Sequence, residues 1–348
     1  MHRAIVRRRF PITSLVVAVL AVGTAATAAP TKNPAYTDPA QTDADFPFQG
    51  EYAGEVSHDG QASPIGVQVI ALGDGAFDVV AYPGGLPGDG WVPPADKIKG
   101  TGKREGEGAA AVVKVEAIDL GGVKRKGEIR GNALVVLSES GGELARLPRV
   151  NRASPTLGEK PPAGAIVVFD GMQGKGDVSR LAEGRLAEDG LLMEGVTTKD
   201  SYGDATWHVE FRLPYQPKDR GQGRGNSGVY VQGAYEVQVL DSFGLEGKNN
   251  ECGGIYSVAA PFVNMCLPPL VWQTYDISFK APKIEGGKEV APPRMTVRHN
   301  GVVIHDNVEI PKTTPGGKAG ATPGTGPLHL QNHGNPVRYR NIWVLPKS

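Results

Sequence analysis

Short runs of β-branched and aromatic residues, each stopped by Gly, Pro or Asn, recur along this chain from Val67 to Val344. No stretch carries convincing helical periodicity over ten residues. Alternating runs of this kind bury one face of a strand and leave the other free, so they constrain the chain to sheets. The 348 residues include 48 Gly and 28 Pro. Glycine supplies positive φ for tight turns and proline interrupts helices, which favours many short strands. The chain is long enough for two domains of ordinary size, and 40% hydrophobic with 21% charged residues fits globular structure. The expected fold class is all-β.

The first 28 residues have the three parts of a secretory leader. Arg3, Arg7, Arg8 and Arg9 form a basic start, Ile12 to Val22 a short apolar core, and Ala26-Thr27-Ala28 a small-residue cleavage position. The apolar run is about half the ~20 residues that span a bilayer, so cleavage is expected and not anchoring. No cysteine follows it that would carry a lipid. The expected location is therefore periplasmic or extracellular, with no integral membrane segment after cleavage. Without those four arginines the chain has 33 basic against 37 acidic residues, a net charge of −4. Nothing in that balance attracts a phosphate backbone, and nucleic acid is not an expected partner. Two cysteines, Cys252 and Cys266, are a disulfide candidate in an oxidising compartment. The bridge would close a loop of about 15 residues, worth roughly 3 kcal/mol.

Residues 29–45 read as a polar, Pro-containing linker. Residues 46–150 read as a small accessory β domain, a barrel or sandwich, with strands at Val67–Ala71, Phe77–Tyr82, Val112–Ala117 and Ala133–Leu137. It holds no catalytic constellation. Trp91, at the end of a Gly-rich loop, could stack on a sugar, but a loop tryptophan is more often a packing anchor. Residues 151–163 form a Pro-rich linker, and residues 164–348 a second strand-rich domain, expected to be compact by itself. Its strands, in two opposed faces, imply a jelly-roll sandwich, with Asn300-Gly301 as a type I′ hairpin signal.

Three polar clusters stand out there. Residues 225–242 read as a hairpin turning near Gly233. Glu236, Gln238 and Leu240 share one face, and Val237, Val239 and Asp241 the other. A carboxylate beside an amide can be a cleft wall, moving a proton and holding a hydroxyl, or an ordinary solvated face. In the second cluster His329, Gln331 and His333 share a face. Histidines four apart on a strand lie ~13 Å apart and cannot share a metal unless the chain turns. His333, beside Gly334, is the freer of the two. In the third, Tyr339, Asn341 and Trp343 alternate with Arg338, Arg340 and Ile342. An arginine entering a cleft would polarise a carbonyl.

These segments together resemble the 3-keto-disaccharide hydrolase domain family over about residues 164–346. The likeness is carried by Val168-Phe169-Asp170-Gly171, Gly225-Asn226-Ser227-Gly228-Val229-Tyr230, Tyr235 to Ser242, Cys252 to Tyr256, Ala260-Pro261 and Trp272-Gln273-Thr274-Tyr275. It continues through His299-Asn300-Gly301, Leu330-Gln331-Asn332-His333-Gly334 and Arg338 to Ile342. The resemblance implies a concanavalin A-like jelly roll and cleavage of glycosides oxidised at C3, where the ketone acidifies the C2 proton. That chemistry needs a base, an acid for the leaving oxygen and a donor near the ketone. Glu236 and His333 are the expected base and acid, with Asp241 as the alternative catalytic carboxylate. Gln238, Gln331 and Arg340 would hold hydroxyls or the enolate oxygen, and Asn226 and Tyr256 would touch the substrate. The resemblance leaves a divalent metal open and maps no ligands for it. Sandwich glucanases carry alternating carboxylates on one strand. Here the face offers one acid, which argues against an ordinary two-carboxylate glycosidase with its groups ~5–9 Å apart. The competing reading is a non-catalytic carbohydrate-binding module of the same fold.

Overall fold

The computed structural model describes residues 33–58, 61–174, 176–318 and 323–347. The leader lies outside them. Among the described residues no helix is long and apolar enough to cross a membrane.

Eight antiparallel strands from Gly50–His58 to Glu143–Val150 close into a barrel, the first pairing with the last. Alternation sends Val67, Val69, Phe77, Val79, Val113, Ile129, Leu134 and Leu147 inside. At Asp74-Gly75 both central residues of the turn have positive φ, 56° and 76°, as a type I′ hairpin requires. Trp91 is a packing anchor: it meets Tyr82 edge-on at 5.2 Å and is 7% exposed.

The rest is a two-sheet sandwich of all-β, jelly-roll type. One sheet runs in the order Ile166–Phe169, Arg338–Pro346, Ala205–Arg212, Trp272–Lys280, Arg294–His299, Val302–Glu309. The other runs Leu181–Ala182, Val196–Thr198, His329–Leu330, Ser227–Val231, Tyr235–Val239. Trp207, Val209, Phe211, Tyr275, Ile277 and Phe279 of the first sheet share a core with Val229, Val237, Val239 and Leu330 of the second. Asn300 and Gly301 take φ of 50° and 80° between the paired residues His299 and Val302, the expected I′ turn.

The barrel and sandwich are not separate bodies, because the described residues from Asn33 onward form one compact unit. Tyr215 of the sandwich is buried with the barrel's core, and Ile70, Val80 and Tyr82 of the barrel with the sandwich's. The stretch read as a linker before residue 46 is docked from Asn33 onward. Tyr36 bridges Tyr215, Asp43 accepts the Tyr215 hydroxyl at 2.9 Å, and Asp45 pairs with Arg104 at 2.7 Å. Within 151–163, Ser154 and Thr156 bond to Thr274 at 2.6 and 2.9 Å, and Thr156 donates to Asp276 at 2.8 Å. Hydroxyls and backbone amides here find partners on the sheet, so prolines alone did not mark a free hinge.

Candidate functional site

The hairpin Ser227–Val231 with Tyr235–Val239 sets the site. Its register places Val229 against Val237 and Tyr230 against Glu236. The valines fill the core. Tyr230, Glu236 and Gln238 face the other way, into a cleft of about 210 Å³ that Gln222, Asn226, Tyr256, Gly316, Gln331 and His333 also line. Six of the eight candidate site residues, Glu236, His333, Asn226, Gln238, Tyr256 and Gln331, thus share one cleft.

The cleft face is not an open sheet surface. The segment around Pro315 roofs it: the Glu236 amide donates to Thr314 Oγ1 at 3.0 Å, and the Tyr230 hydroxyl lies 2.9 Å from the Pro315 carbonyl. Two glycines make room. A Cβ at Gly228 would fall on the Glu236 carboxylate, and one at Gly316, where φ is 82°, would sit 2.8 Å from the Tyr230 oxygen.

Glu236 is 2% exposed, and Tyr230 Oη lies 2.8 Å from its Oε2. Burial pushes the Glu236 carboxyl up to about 7, against the Tyr230 hydrogen bond, which lowers it. No lysine, arginine or second carboxylate is among the lining residues. The amides are tied to one another. Gln238 donates to Gln222 Oε1 at 3.1 Å, Asn226 to the Gln222 carbonyl at 2.8 Å, and Gln331 to the Tyr230 oxygen at 3.2 Å. Asn226 Oδ1 is buried without a hydrogen-bond partner, an acceptor ready for a ligand hydroxyl. His333 is exposed at the rim. His329 is held by Thr197 at 2.9 Å, and burial lowers its pKa.

Two candidates lie elsewhere. Asp241 is buried in an ion pair with Arg224, Oδ2 to Nε 2.5 Å, and Arg224 also reaches the Ala71 carbonyl of the barrel. It sits past the strand end, where alternation no longer points it anywhere. Arg340 is on the outer face of the other sheet. Its Nε is 2.8 Å from Glu210 Oε2 and its guanidinium lies 4.0 Å from the Trp272 ring centre. The alternation expected there fails at Asn341, whose φ of 42° marks a bulge. After it Ile342 turns inward and Trp343 outward to stack on His208 at 5.1 Å. Cys252 and Cys266 are free, buried thiols, hydrogen-bonded to each other and not bridged; the Tyr275 hydroxyl also lies 3.2 Å from Cys252 Sγ.

Sequence reasoning did not single out Tyr230 or Gln222 as site residues. A hairpin turning at 232–234 puts Tyr230 opposite Glu236, so the register carried the signal for the first. Nothing in the sequence pairs Gln222 with the hairpin.

Among the described residues, one group offers three metal-type ligands close together: Glu159, His208 and Asp276, with ligand atoms within 4.8 Å. It lies on the outer face of the first sheet, away from the cleft. His208 Nδ1 is 2.6 Å from Asp276 and Nε2 3.5 Å from Glu210. Burial alone would depress the imidazole, but hydrogen bonds to Asp276 and Glu210 outweigh it and raise the pKa to about 9. Protonated, the ring joins these carboxylates in a buried ion network, and a metal bound there would have to displace that proton. The cleft itself has one carboxylate and one imidazole, Glu236 and His333.

No protein with a curated description matches the chain. A solved structure from Parabacteroides distasonis ATCC 8503, described as a candidate glycosyl hydrolase, shares 34% identity over 53% of this chain and 85% of its own, with a TM-score of 0.47. Two further structures from that organism, described in the same way, share 19% and 20% identity. Each covers 53% of this chain, and 94% and 99% of its own length, with TM-scores of 0.39 and 0.37. Residues 164–345, more than half of the chain and containing the whole cleft, match the 3-keto-alpha-glucoside-1,2-lyase-like domain, and the chain belongs to that family.

Proposed function

We propose that this chain is an exported enzyme that cleaves glycosides already oxidised at C3, by elimination across C1 and C2 followed by addition of water. Family membership makes the domain carbohydrate-acting and glycoside hydrolase-like. The observation that carries the finer reading is Glu236, a single carboxyl buried in a polar cleft and pushed up to about 7. A lone acid cannot supply the carboxyl pair of an ordinary glycosidase. It suits proton abstraction, where a base with a pKa near the working pH is best. The leader read in residues 1–28 supports export.

In this reading the ketone acidifies the C2 proton and ionised Glu236 takes it. The C–H electron pair becomes the enolate across C2 and C3, whose oxygen is held by amide donors such as Gln331 and Gln238. Collapse restores the ketone, forms the C1–C2 double bond and expels the C1 oxygen, which takes a proton from His333. Water then adds at C1, giving a proton back to His333, and Glu236 returns its proton to C2. Asn226 Oδ1 accepts a sugar hydroxyl.

The test is incubation with a 3-keto-disaccharide, following release of the free sugar. Release by the native chain supports the reading. Saturable binding without release would instead assign a carbohydrate-binding module.

A further inference from the structure

The barrel is filled at one end only. At the end facing the sandwich, Phe48, Tyr52, Phe77 and Tyr215 are buried in one cluster. Toward the other end the inward side chains are small: Val56, Ile65, Ala81, Val115, Ala117 and Val136 line a cavity of about 490 Å³. All but Val115 are only half-buried although they point inward, because the cavity opens to solvent. Along the strand Ala76–Pro83 it reaches from Val79 to Pro83. That is a depth of ~13 Å at ~3.3 Å per residue.

The mouth differs from the depth. Leu120, Leu144 and Val123 stand around it 60%, 46% and 41% exposed. Its polar groups are Ser57, Asp119, Arg125 and Lys126, with Arg125 Nε held 2.7 Å from Asp119. Deeper than these, the lining is apolar. A sugar placed there would lose the water on its hydroxyls and gain no partner. An eight-stranded barrel is just wide enough to hold one small ligand, and the volume falls within the ~300–1,000 Å³ of small-molecule sites.

We propose that the barrel binds one unbranched acyl chain, inserted tail first, with its polar head at the mouth beside Arg125 and Lys126. The apolar space, filled at its far end by the aromatic cluster, fits a flexible chain, and the exposed leucines and valine at the rim shield its first methylenes from water. This site is independent of the glycoside cleft.

The experiment titrates the full chain with a dansyl-labelled fatty acid and displaces it with saturated fatty acids of rising length, and in parallel with monoacyl phosphocholines. Saturable binding at one site is expected. Affinity should rise about fourfold per added methylene until the chain outgrows the cavity. Displacement by the acids alone assigns a free fatty acid, and displacement by the phosphocholines assigns a lipid. Ala81→Trp and Ala117→Trp each fill the space and should weaken binding at least tenfold, with the thermal melt and release of sugar from a 3-keto-disaccharide unchanged. The chain-length series on the native protein decides even where a variant fails to fold. No saturable binding, no dependence on chain length, or equal binding by folded cavity-filling variants would overturn the proposal.

Discussion

Tyr230 and Glu236 share one phenolic proton with a third group: the Tyr230 oxygen lies 2.8 Å from Glu236 Oε2 and 2.9 Å from the Pro315 carbonyl oxygen. A hydroxyl has one hydrogen to donate. When Glu236 is ionised, that hydrogen belongs to the carboxylate. When Glu236 is protonated, its own hydrogen goes to the Tyr230 oxygen, and the phenol is released to Pro315. The pair is thus a small relay whose state follows the charge on Glu236. Burial together with the charge of Glu236 pushes the phenol itself well up, so the proton stays on tyrosine throughout the neutral range.

Tyr230→Phe removes the bond that lowers the Glu236 pKa. The rising limb of kcat/KM for a 3-keto-glycoside, expected near pH 7 in the native protein, should move up by about one unit, as a hydrogen bond of ~1 kcal/mol implies. A pH profile of both proteins checks it. An unmoved limb would detach Glu236 from the pH dependence.

Glu236→Gln should cut turnover of an oxidised disaccharide by roughly 10²–10⁴, the range of general base catalysis. Its effect on stability has a definite sign. The folded-state pKa is raised from 4.5 to about 7, so the native state binds the proton more tightly than the unfolded chain. The resulting stability is complete below pH 4.5 and lost as pH rises through 7. The amide escapes that loss. The variant should be more stable than the native protein at pH 9, by up to ~3 kcal/mol, and gain nothing at pH 4. Urea unfolding at the two pH values measures it.

His208→Phe leaves Glu210, fully buried, and Asp276 without the cation between them. Breaking a buried pair this way costs about 3–5 kcal/mol. In the native protein the imidazole contribution is complete below pH 6.5 and is lost as pH rises through about 9. Glu210, held down to about 2 by His208 and Asn341 despite its burial, contributes stability that is complete above pH 4.5 and lost as pH falls through about 2. Thermal melts across pH 5 to 10 should converge for the two proteins at the alkaline end.

Cys252 and Cys266 should be silent toward a thiol reagent in the native protein and both react once it is unfolded, because both are buried and Cys266 is pushed up by burial. Fast labelling of either thiol in the folded protein would contradict that placement.

Much of the fold was legible because it rests on local chemistry. The I′ turn at Asn300-Gly301 and the valines of 229, 237 and 239 are dictated by φ and by period-two burial. Part of the cleft was legible for the same reason: Glu236 and Gln238 alternate with the valines, and Gln331 with Leu330. Arg340 was misplaced because its strand, Arg338–Pro346, belongs to the sheet opposite the cleft hairpin, and local alternation does not say which sheet a strand joins. Asp241 was misplaced because its partner, Arg224, is 17 positions away along the chain. The roof at Thr314 to Gly316 comes from a loop far from the hairpin, and only the folded chain shows that it turns a solvated face into a site that shifts a carboxyl.

Tyr215 belongs to the sandwich by its place in the chain and to the barrel by its neighbours. It closes the floor of a vessel built from another stretch of sequence, with Tyr36 and Asp43 clasped around it. A gene rearrangement that exchanged residues 46–150 for a different module would strand that tyrosine against water, and would take the floor from the barrel it left behind. The seam between the two halves therefore runs through side chains and not through the prolines at 161 and 162, and inheritance should carry barrel and sandwich as a pair.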